Sequence, residues 1–346
     1  MIQQTEICMM TKGLRMLKFY HCVFTILLAG LFLCACSPSA PIAVLPSATA
    51  SPLPSLPPTL TPSPTATATS TPIPLVPNFK HIVIVVFENE EFGTVFGSDK
   101  MPYFNKLARS YTLLTQYYAI THPSLPNYLA MIGGDTFDIT FDCTSCNVNN
   151  QSLPDLIEAS GRTWKTYQED MPSSCFSGAE SGKYAMKHNP FIYFMPIRLD
   201  AQRCNQSIVP LTQLSSDIAA GALPNFIFVT PNMCNDAHDC DLRIADTWLQ
   251  GFMNRLMPAL DQSDKSYLIV LTWDEGQGNH SCCGLPAEAG GRIATILVSP
   301  QAKSGFQDST PYTHYSLLKT IATAWELPYL AHAADAQTSI IVAPWK

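Results

Sequence analysis

Apolar runs separated by short polar intervals set the plan of this chain. His81-Ile82-Val83-Ile84-Val85-Val86-Phe87 is almost continuously apolar and rich in β-branched residues. A strand with one wet face alternates apolar and polar side chains. A run without alternation suits a strand buried on both faces, as in a parallel sheet flanked by helices. Comparable runs occupy residues 225–230, 267–273 and 293–299. Helix-like stretches lie between them at 102–110, 154–160, 211–220, 242–260 and 315–325. Strands alternating with helices predict an α/β sandwich. In such folds ligands sit beyond the carboxyl ends of the strands, so the residues just after each run are the first candidates for chemistry.

The pattern is different toward the N-terminus. Lys12, Arg15 and Lys18 precede an apolar run over residues 19–35, which ends Leu33-Cys34-Ala35-Cys36. This resembles a bacterial lipoprotein signal, with Cys36 as the lipidated residue. An ordinary cleaved signal peptide and a single N-terminal membrane helix are the alternatives, and all three export the rest of the chain. Residues 37–78 contain no charge and only Pro, Ser, Thr, Ala, Leu, Ile, Val and one Asn. Such chain is extended and builds no core. The expected organisation is therefore a signal (1–36), a linker (37–78) and one catalytic domain (79–346), anchored to the membrane through its lipid and facing out of the cytoplasm.

Composition narrows the function. The 346 residues are 47% hydrophobic and 14% charged, which argues against a mainly disordered chain. Twenty Lys+Arg against 27 Asp+Glu give a net charge of -7, which excludes a general electrostatic grip on nucleic acid. It also excludes docking on anionic lipid by charge alone. Eight of the 12 cysteines fall in residues 79–346: Cys143, Cys146, Cys175, Cys204, Cys234, Cys240, Cys282 and Cys283. An even number in an exported domain points to disulfides. Cys234 with Cys240 would close a short loop. Zinc held by Cys143, Cys146, Cys282 and Cys283 is the alternative.

Two strand ends carry acids: Phe87-Glu88-Asn89-Glu90 and Trp273-Asp274-Glu275-Gly276. Side by side they would gather hard oxygen ligands of the kind that bind divalent cations. Thr121-His122-Pro123-Ser124-Leu125-Pro126-Asn127-Tyr128 opens a helix, since Pro126 suits a first turn. Ser124 then lies at or just before a helix N-terminus, where N–H groups and the dipole favour phosphate. An N-cap serine is the structural alternative. His188, His238 and His314 stand in polar contexts, and His238 alone follows a strand directly.

These segments, with Tyr167-Gln168-Glu169-Asp170-Met171-Pro172, Lys187-His188-Asn189-Pro190, Thr230-Pro231-Asn232-Met233, Asn235-Asp236 and His314-Tyr315-Ser316, stand in the order seen in the phosphoesterase family. The chain resembles that family's bacterial phospholipases C and secreted acid phosphatases, and above all the shorter phosphate-repressible acid phosphatases. The resemblance implies a three-layer α/β/α sandwich with a largely parallel central sheet, of the alkaline-phosphatase-like superfamily. It implies one divalent metal ion held by Glu88, Asn89, Asp274, Glu275 and Ser124, with Ser124 also the nucleophile. Asn127, His188 and His238 would hold phosphate oxygens, with His122 and His314 in matching motifs, and His238 is the candidate acid for the leaving oxygen. Glu90 and Glu91 depart from the pattern at flanking places, where they would bear on substrate choice. The implied activity is a metal-dependent acid phosphatase acting on a small phosphate ester through a phosphoserine. A phospholipase C-like diesterase and a catalytically silent binding module are the alternatives.

Overall fold

The computed structural model describes residues 75–346. The expected signal with its Cys36, and residues 37–74 of the expected linker, lie outside the described residues. Val76, inside the segment expected to be linker, is buried with Phe79 in the core.

The strands are β1 (His81–Phe87), β2 (Thr112–Tyr118), β3 (Trp164–Gln168), β4 (Glu180–Ser181), β5 (Tyr184–Ala185), β6 (Ile208–Pro210), β7 (Phe226–Thr230), β8 (Tyr267–Trp273), β9 (Arg292–Val298), β10 (Gln307–Asp308) and β11 (Tyr312–Thr313). The helices are α1 (Phe92–Val95), α2 (Pro102–Ser110), α3 (Ser124–Gly133), α4 (Leu153–Ala159), α5 (Met195–Arg198), α6 (Ala201–Ser207), α7 (Gln213–Ala219), α8 (Leu242–Asp261) and α9 (His314–Ala324).

One sheet runs in the order β10-β2-β9-β8-β1-β7-β3-β6, with β11 also paired to β2. β1 pairs in parallel with β7 on one side and β8 on the other. β3 continues the parallel pairing to β7 and β6. β9 runs against its neighbours β8 and β2, so the sheet is mostly rather than wholly parallel. Every residue of β1, β7 and β8 is buried, which requires cover on both faces. α2 packs with α8, and α3 packs with α9, supplying that cover. The three-layer α/β/α arrangement expected from the sequence is thus the observed one. Each fully buried Val or Ile of these strands stabilises by roughly 1.5–3 kcal/mol, so the central strands form a fixed frame.

The start of α2 is capped from a distance. Asp246, on α8, accepts from Tyr103 N at 2.9 Å and Phe104 N at 2.8 Å. No residue near α2 in sequence supplies that cap.

All eight cysteines of the domain are in disulfides: Cys143–Cys146, Cys175–Cys204, Cys234–Cys240 and Cys282–Cys283. The zinc alternative is corrected on that ground, since its thiolates are taken. Among the described residues no helix is long and apolar enough to cross a membrane.

Candidate active site

Three adjacent strands deliver acids to one point. β1 lies between β7 and β8, and the chain stays paired just beyond their ends. Glu88 N donates to Asp236 O at 2.9 Å, and Asp274 N donates to Phe87 O at 2.9 Å. Glu88, Asp236 and Asp274 are fully buried, and Glu275 nearly so. Asn89 comes next at φ +56°, in the left-handed region that asparagine tolerates better than most residues. That turn aims its N–H at Asp274 Oδ1, 3.2 Å away.

Ser124 is the first residue of α3, a helix buried along its whole length. Its hydroxyl donates to Glu88 Oε2 at 3.0 Å and lies 3.3 Å from Glu275 Oε1. One turn on, the Tyr128 hydroxyl donates to the other oxygen of Glu88. Asp142 Oδ1 accepts from Leu125 N at 3.0 Å and so caps the free end of α3. Asn127 pins the loop before the serine: its carbonyl oxygen accepts from Ile120 N and Thr121 N, and its amide donates to Thr121 O and Pro123 O.

His188 enters from a short 3-10 turn, Met186–His188, and stacks on Tyr128 with ring centroids 5.4 Å apart. Its Nε2 lies 3.3 Å from Glu88 Oε2, without hydrogen-bond geometry, and its Nδ1 lies 3.5 Å from Asp236 Oδ2. One ligand atom from each of Glu88, His188 and Asp236 lies within 4.8 Å of the other two.

The charges of this cluster do not balance. Burial, and then Asp274, hold the Glu88 carboxyl well above the usual carboxylate range. Burial does the same to Asp236. Asp274 is pushed up to about 8, first by burial and then by Glu275. Burial, followed by the Lys187 charge, holds His188 well below the ordinary histidine value. Asn89 Oδ1, Asp236 Oδ2, Asp274 Oδ2 and His188 Nε2 are buried without a hydrogen-bond partner. Unpartnered buried acceptors are costly. A set of carboxylate and amide oxygens beside a neutral imidazole is the donor chemistry of a divalent cation site. The residues present therefore fit the metal that the sequence implied, with His188 and Asp236 added to the candidate ligands.

Partly exposed groups rim the cluster. Lys187 Nζ donates to Asp142 Oδ2 at 3.1 Å and to His238 Nε2 at 3.3 Å. His238 Nδ1 then donates to Asp239 Oδ1 at 2.8 Å. Burial disfavours the Lys187 ammonium, but Asp142, with Glu88 and Asp274 beyond, more than offsets this and raises its pKa. On the opposite rim His122 Nδ1 meets Glu275 Oε2, and Nε2 lies 3.1 Å from Gly278 O. The bond to Glu275 raises the His122 pKa, with burial opposing.

The sequence model of the phosphoesterase family matches residues 95–328. The chain belongs to the phosphoesterase family.

The chain is 36% identical over 261 residues to the phosphate-repressible acid phosphatase of Penicillium chrysogenum, covering 73% of this chain and 60% of that one. It is 32% identical over 266 residues to the phosphatidylinositol-3-phosphatase of Mycobacterium tuberculosis, covering 75% and 82%. It spans less than two thirds of the fungal relatives it matches, 60% of the first and 63% of the probable acid phosphatase of Kluyveromyces lactis. In fold it is similar to a protein in the alkaline phosphatase superfamily from Vibrio parahaemolyticus, with a TM-score of 0.50, 11% identity, and coverage of 76% of this chain and 71% of that one.

The structure brings Glu88, Asn89, Ser124, Asp274 and Glu275 together, and places His238 at the partly exposed rim. It arranges five other residues differently from the expectation. His314 is fully buried behind Asp274, with Nε2 at 2.6 Å from the Asp274 carbonyl and Nδ1 facing the Tyr117 hydroxyl. Burial pushes its pKa down to about 4. It orients Asp274 and does not reach the mouth. Both nitrogens of His122 are occupied, one by Glu275 and the other by the Gly278 carbonyl. His188 sits among the carboxylates rather than at the rim. Asn127 faces its own loop. Glu91, expected to bear on substrate choice, instead accepts from Gly278 N at 3.1 Å and Arg292 N at 3.1 Å, and so ties down the loop after Glu275.

Sequence reasoning gave no role to Asp236, Asp142, Lys187 or Tyr128. Asp236 follows β7 as Asp274 follows β8, so the strand-end rule was the signal for it. Its delay of several residues past the strand hid it, because it sits inside the loop closed by Cys234–Cys240. Asp142 and Lys187 come from irregular segments where no periodicity points inward.

Proposed function

We propose that the chain is a phosphoric ester hydrolase, an acid phosphatase that cleaves small phosphate monoesters through a phosphoserine on Ser124. One observation carries this reading: the Ser124 hydroxyl, on a buried helix N-terminus, is bonded to Glu88 inside a ring of carboxylates whose free oxygens lack partners. A serine held this way is a nucleophile with its proton acceptor beside it.

A divalent cation held by Glu88, Asn89, Asp274, Glu275 and Ser124, with His188 and Asp236 adjoining, supplies Lewis-acid polarisation and lowers the pKa of the serine. The protein's own groups do the rest. Ser124 Oγ gives its proton to Glu88 or Glu275, the two carboxylates it faces. It attacks phosphorus in line, forming the Oγ–P bond as the bond to the alcohol oxygen breaks. His238, at the mouth and 3.3 Å from Lys187 Nζ, hands a proton to the departing oxygen and takes one back from the water that attacks in the second step. Water then attacks phosphorus from the vacated side, phosphate leaves, and the proton returns to Oγ. The Lys187 ammonium and the α3 N-terminus offset charge on the other phosphate oxygens. Asn127 joins them by exchanging its 3.1 Å bond to Pro123 O for a phosphate oxygen. His122 holds Glu275, and His314 holds Asp274, each acting as a positioning residue.

The acid-phosphatase names of the fungal relatives support the monoester reading. The four disulfides support an exported domain; in this reading residues 1–36 are the signal, Cys36 the lipid anchor and residues 37–74 the linker, which ends before the buried Val76.

The test is acid-quenched turnover of p-nitrophenyl phosphate by the full chain, wild type and Ser124→Ala. A phosphate found by mass on the peptide containing Ser124, together with loss of turnover by at least about a thousandfold in the variant, is the expected result. Near-wild-type turnover by Ser124→Ala removes the mechanism. Cleavage of p-nitrophenylphosphorylcholine in preference to the monoester would make the enzyme a diesterase.

A further inference from the structure

The N-terminus of α3 is short of donors. The first four N–H groups at a helix start have no intrahelical partner. Here the N-cap is Pro123 and the third helical residue is Pro126, and neither carries an N–H. Ser124 N and Leu125 N are the two that remain, one on the nucleophile and one directly after it. Asp142 takes the second: its Oδ1 accepts from Leu125 N at 3.0 Å. Its other oxygen, Oδ2, accepts from Lys187 Nζ at 3.1 Å. One carboxylate therefore holds two of the donors that the proposed mechanism gives to phosphate oxygens.

The place where phosphate sits is fixed without Asp142. The Ser124 hydroxyl donates to Glu88 Oε2, and His188 Nε2, buried and without a hydrogen-bond partner, lies 3.3 Å from the same oxygen. Lys187 also reaches His238, so the donors that Asp142 holds belong to the rim of the candidate acid. A carboxylate and a phosphate compete for such donors, because each presents paired anionic oxygens to them.

Asp142 can give way without its loop moving. Its side chain is 26% accessible, which leaves it water to turn into. The backbone after it is held: Cys143 is joined to Cys146, and the Cys143 carbonyl accepts from the Tyr193 hydroxyl at 2.8 Å. The exchange is then the rotation of one side chain. The caps of α4 and α9, by contrast, are built from the first turns of those helices themselves.

We propose that Asp142 is an internal competitor for the phosphate seat. It occupies Leu125 N and Lys187 in the empty enzyme, yields them to a bound phosphate, and returns to them as the product leaves. The proposal rests on the phosphatase reading and adds to it a residue that sets phosphate affinity and release. A residue that only positioned α3 and Lys187 would act with the opposite sign. Losing a positioning residue weakens phosphate binding, whereas losing a competitor tightens it.

The test uses the full chain with excess divalent cation, as wild type, Asp142→Ala and Asp142→Asn. Binding of inorganic phosphate is measured by calorimetry, which needs no turnover, and its inhibition of p-nitrophenyl phosphate hydrolysis is measured beside it. Asp142→Ala should bind phosphate about tenfold more tightly, and be inhibited by it at about tenfold lower concentration, because two charge-assisted bonds no longer oppose binding. Asp142→Asn keeps an acceptor for Leu125 N, and with it the cap. It should show the same gain in smaller measure, so a disturbed fold in the alanine variant does not hide the effect. Phosphate binding that is unchanged or weaker in both variants overturns the proposal, and leaves the phosphatase reading standing where wild type hydrolyses the ester. Tighter binding in variants of a protein that hydrolyses no ester would support the competitor and sink the enzyme reading instead.

Discussion

The two edges of the central sheet bury polar groups in opposite ways. At the amino edge His81 is buried with Nδ1 at 2.8 Å from Pro224 O and Nε2 at 2.8 Å from Ser263 Oγ. Asn225 beside it accepts from Thr163 N and donates to Lys80 O. The Trp325 indole donates to Phe79 O at 2.8 Å. At the carboxyl edge Asn89, Asp236, Asp274 and His188 each leave a buried atom without a partner. A buried polar group that is fully bonded holds a fold together, whereas one left open destabilises it unless something else binds there. The amino edge is organised for stability. The carboxyl edge gives up stability for a ligand.

The strongest way to break this contrast is to remove the cation. A chelator should abolish turnover, by at least about a thousandfold, and lower the melting temperature, since a ligand that binds only the folded state stabilises it. Unchanged turnover in chelator would leave the open atoms at the carboxyl edge unexplained. Next in size, His81→Ala should cost about 2 kcal/mol in denaturant unfolding, because it strands two partners, and should leave kcat unaltered. A change in kcat instead would tie the amino edge to catalysis. Lys187→Met should raise KM for a small ester by about tenfold with a smaller effect on kcat, as expected for a lost charge-assisted contact to phosphate. Partial recovery in Lys187→Arg would separate charge from packing. Asp236→Asn, compared with wild type in chelator, should leave stability within about 1 kcal/mol or raise it. A clear loss would mean that Asp236 already has the support its open oxygen lacks. The smallest effect is one of pH. Burial lowers the His81 pKa, so below about pH 6.5 the unfolded chain takes up a proton that the folded chain refuses. Stability from this residue therefore falls as pH drops from about 7 to 5. The difference in unfolding free energy between wild type and His81→Gln should shift over that range, and a flat difference would contradict it.

Much of the frame was legible in the sequence because its strands are buried on both faces. β1 and β8 matched their apolar runs residue for residue, and the four long helix-like stretches at 102–110, 211–220, 242–260 and 315–325 fell within a few residues of α2, α7, α8 and α9. β2 and β3 went unseen, since Thr112-Leu113-Leu114-Thr115-Gln116-Tyr117-Tyr118 and Trp164-Lys165-Thr166-Tyr167-Gln168 mix polar residues into the run. The reversed direction of β9 has no signature in composition, because an apolar strand reads the same in either sense. In the site, strand-end acids and the serine before a helix came from elementary rules. The roles of His122, His314 and Asn127 did not. What decides them is which atoms already have partners, and that depends on loops brought together from distant parts of the chain. The distant cap that Asp246 gives α2 escaped for the same reason.

The place where the chain joins its sheet has a mechanical consequence. Phe79 leads into β1 at the amino edge and packs edge-on against Trp345, ring centroids 5.3 Å apart. β1 then crosses the whole molecule before Glu88. Any pull that enters the described residues at Leu75 is thus taken up by an aromatic clasp at the sheet edge away from Glu88. A protein fixed to a bead through a tag placed directly before residue 75 should keep its kcat/KM on a bulky ester at the value in free solution. Fixing it instead through a thiol introduced on the Cys234–Cys240 loop should slow the same substrate.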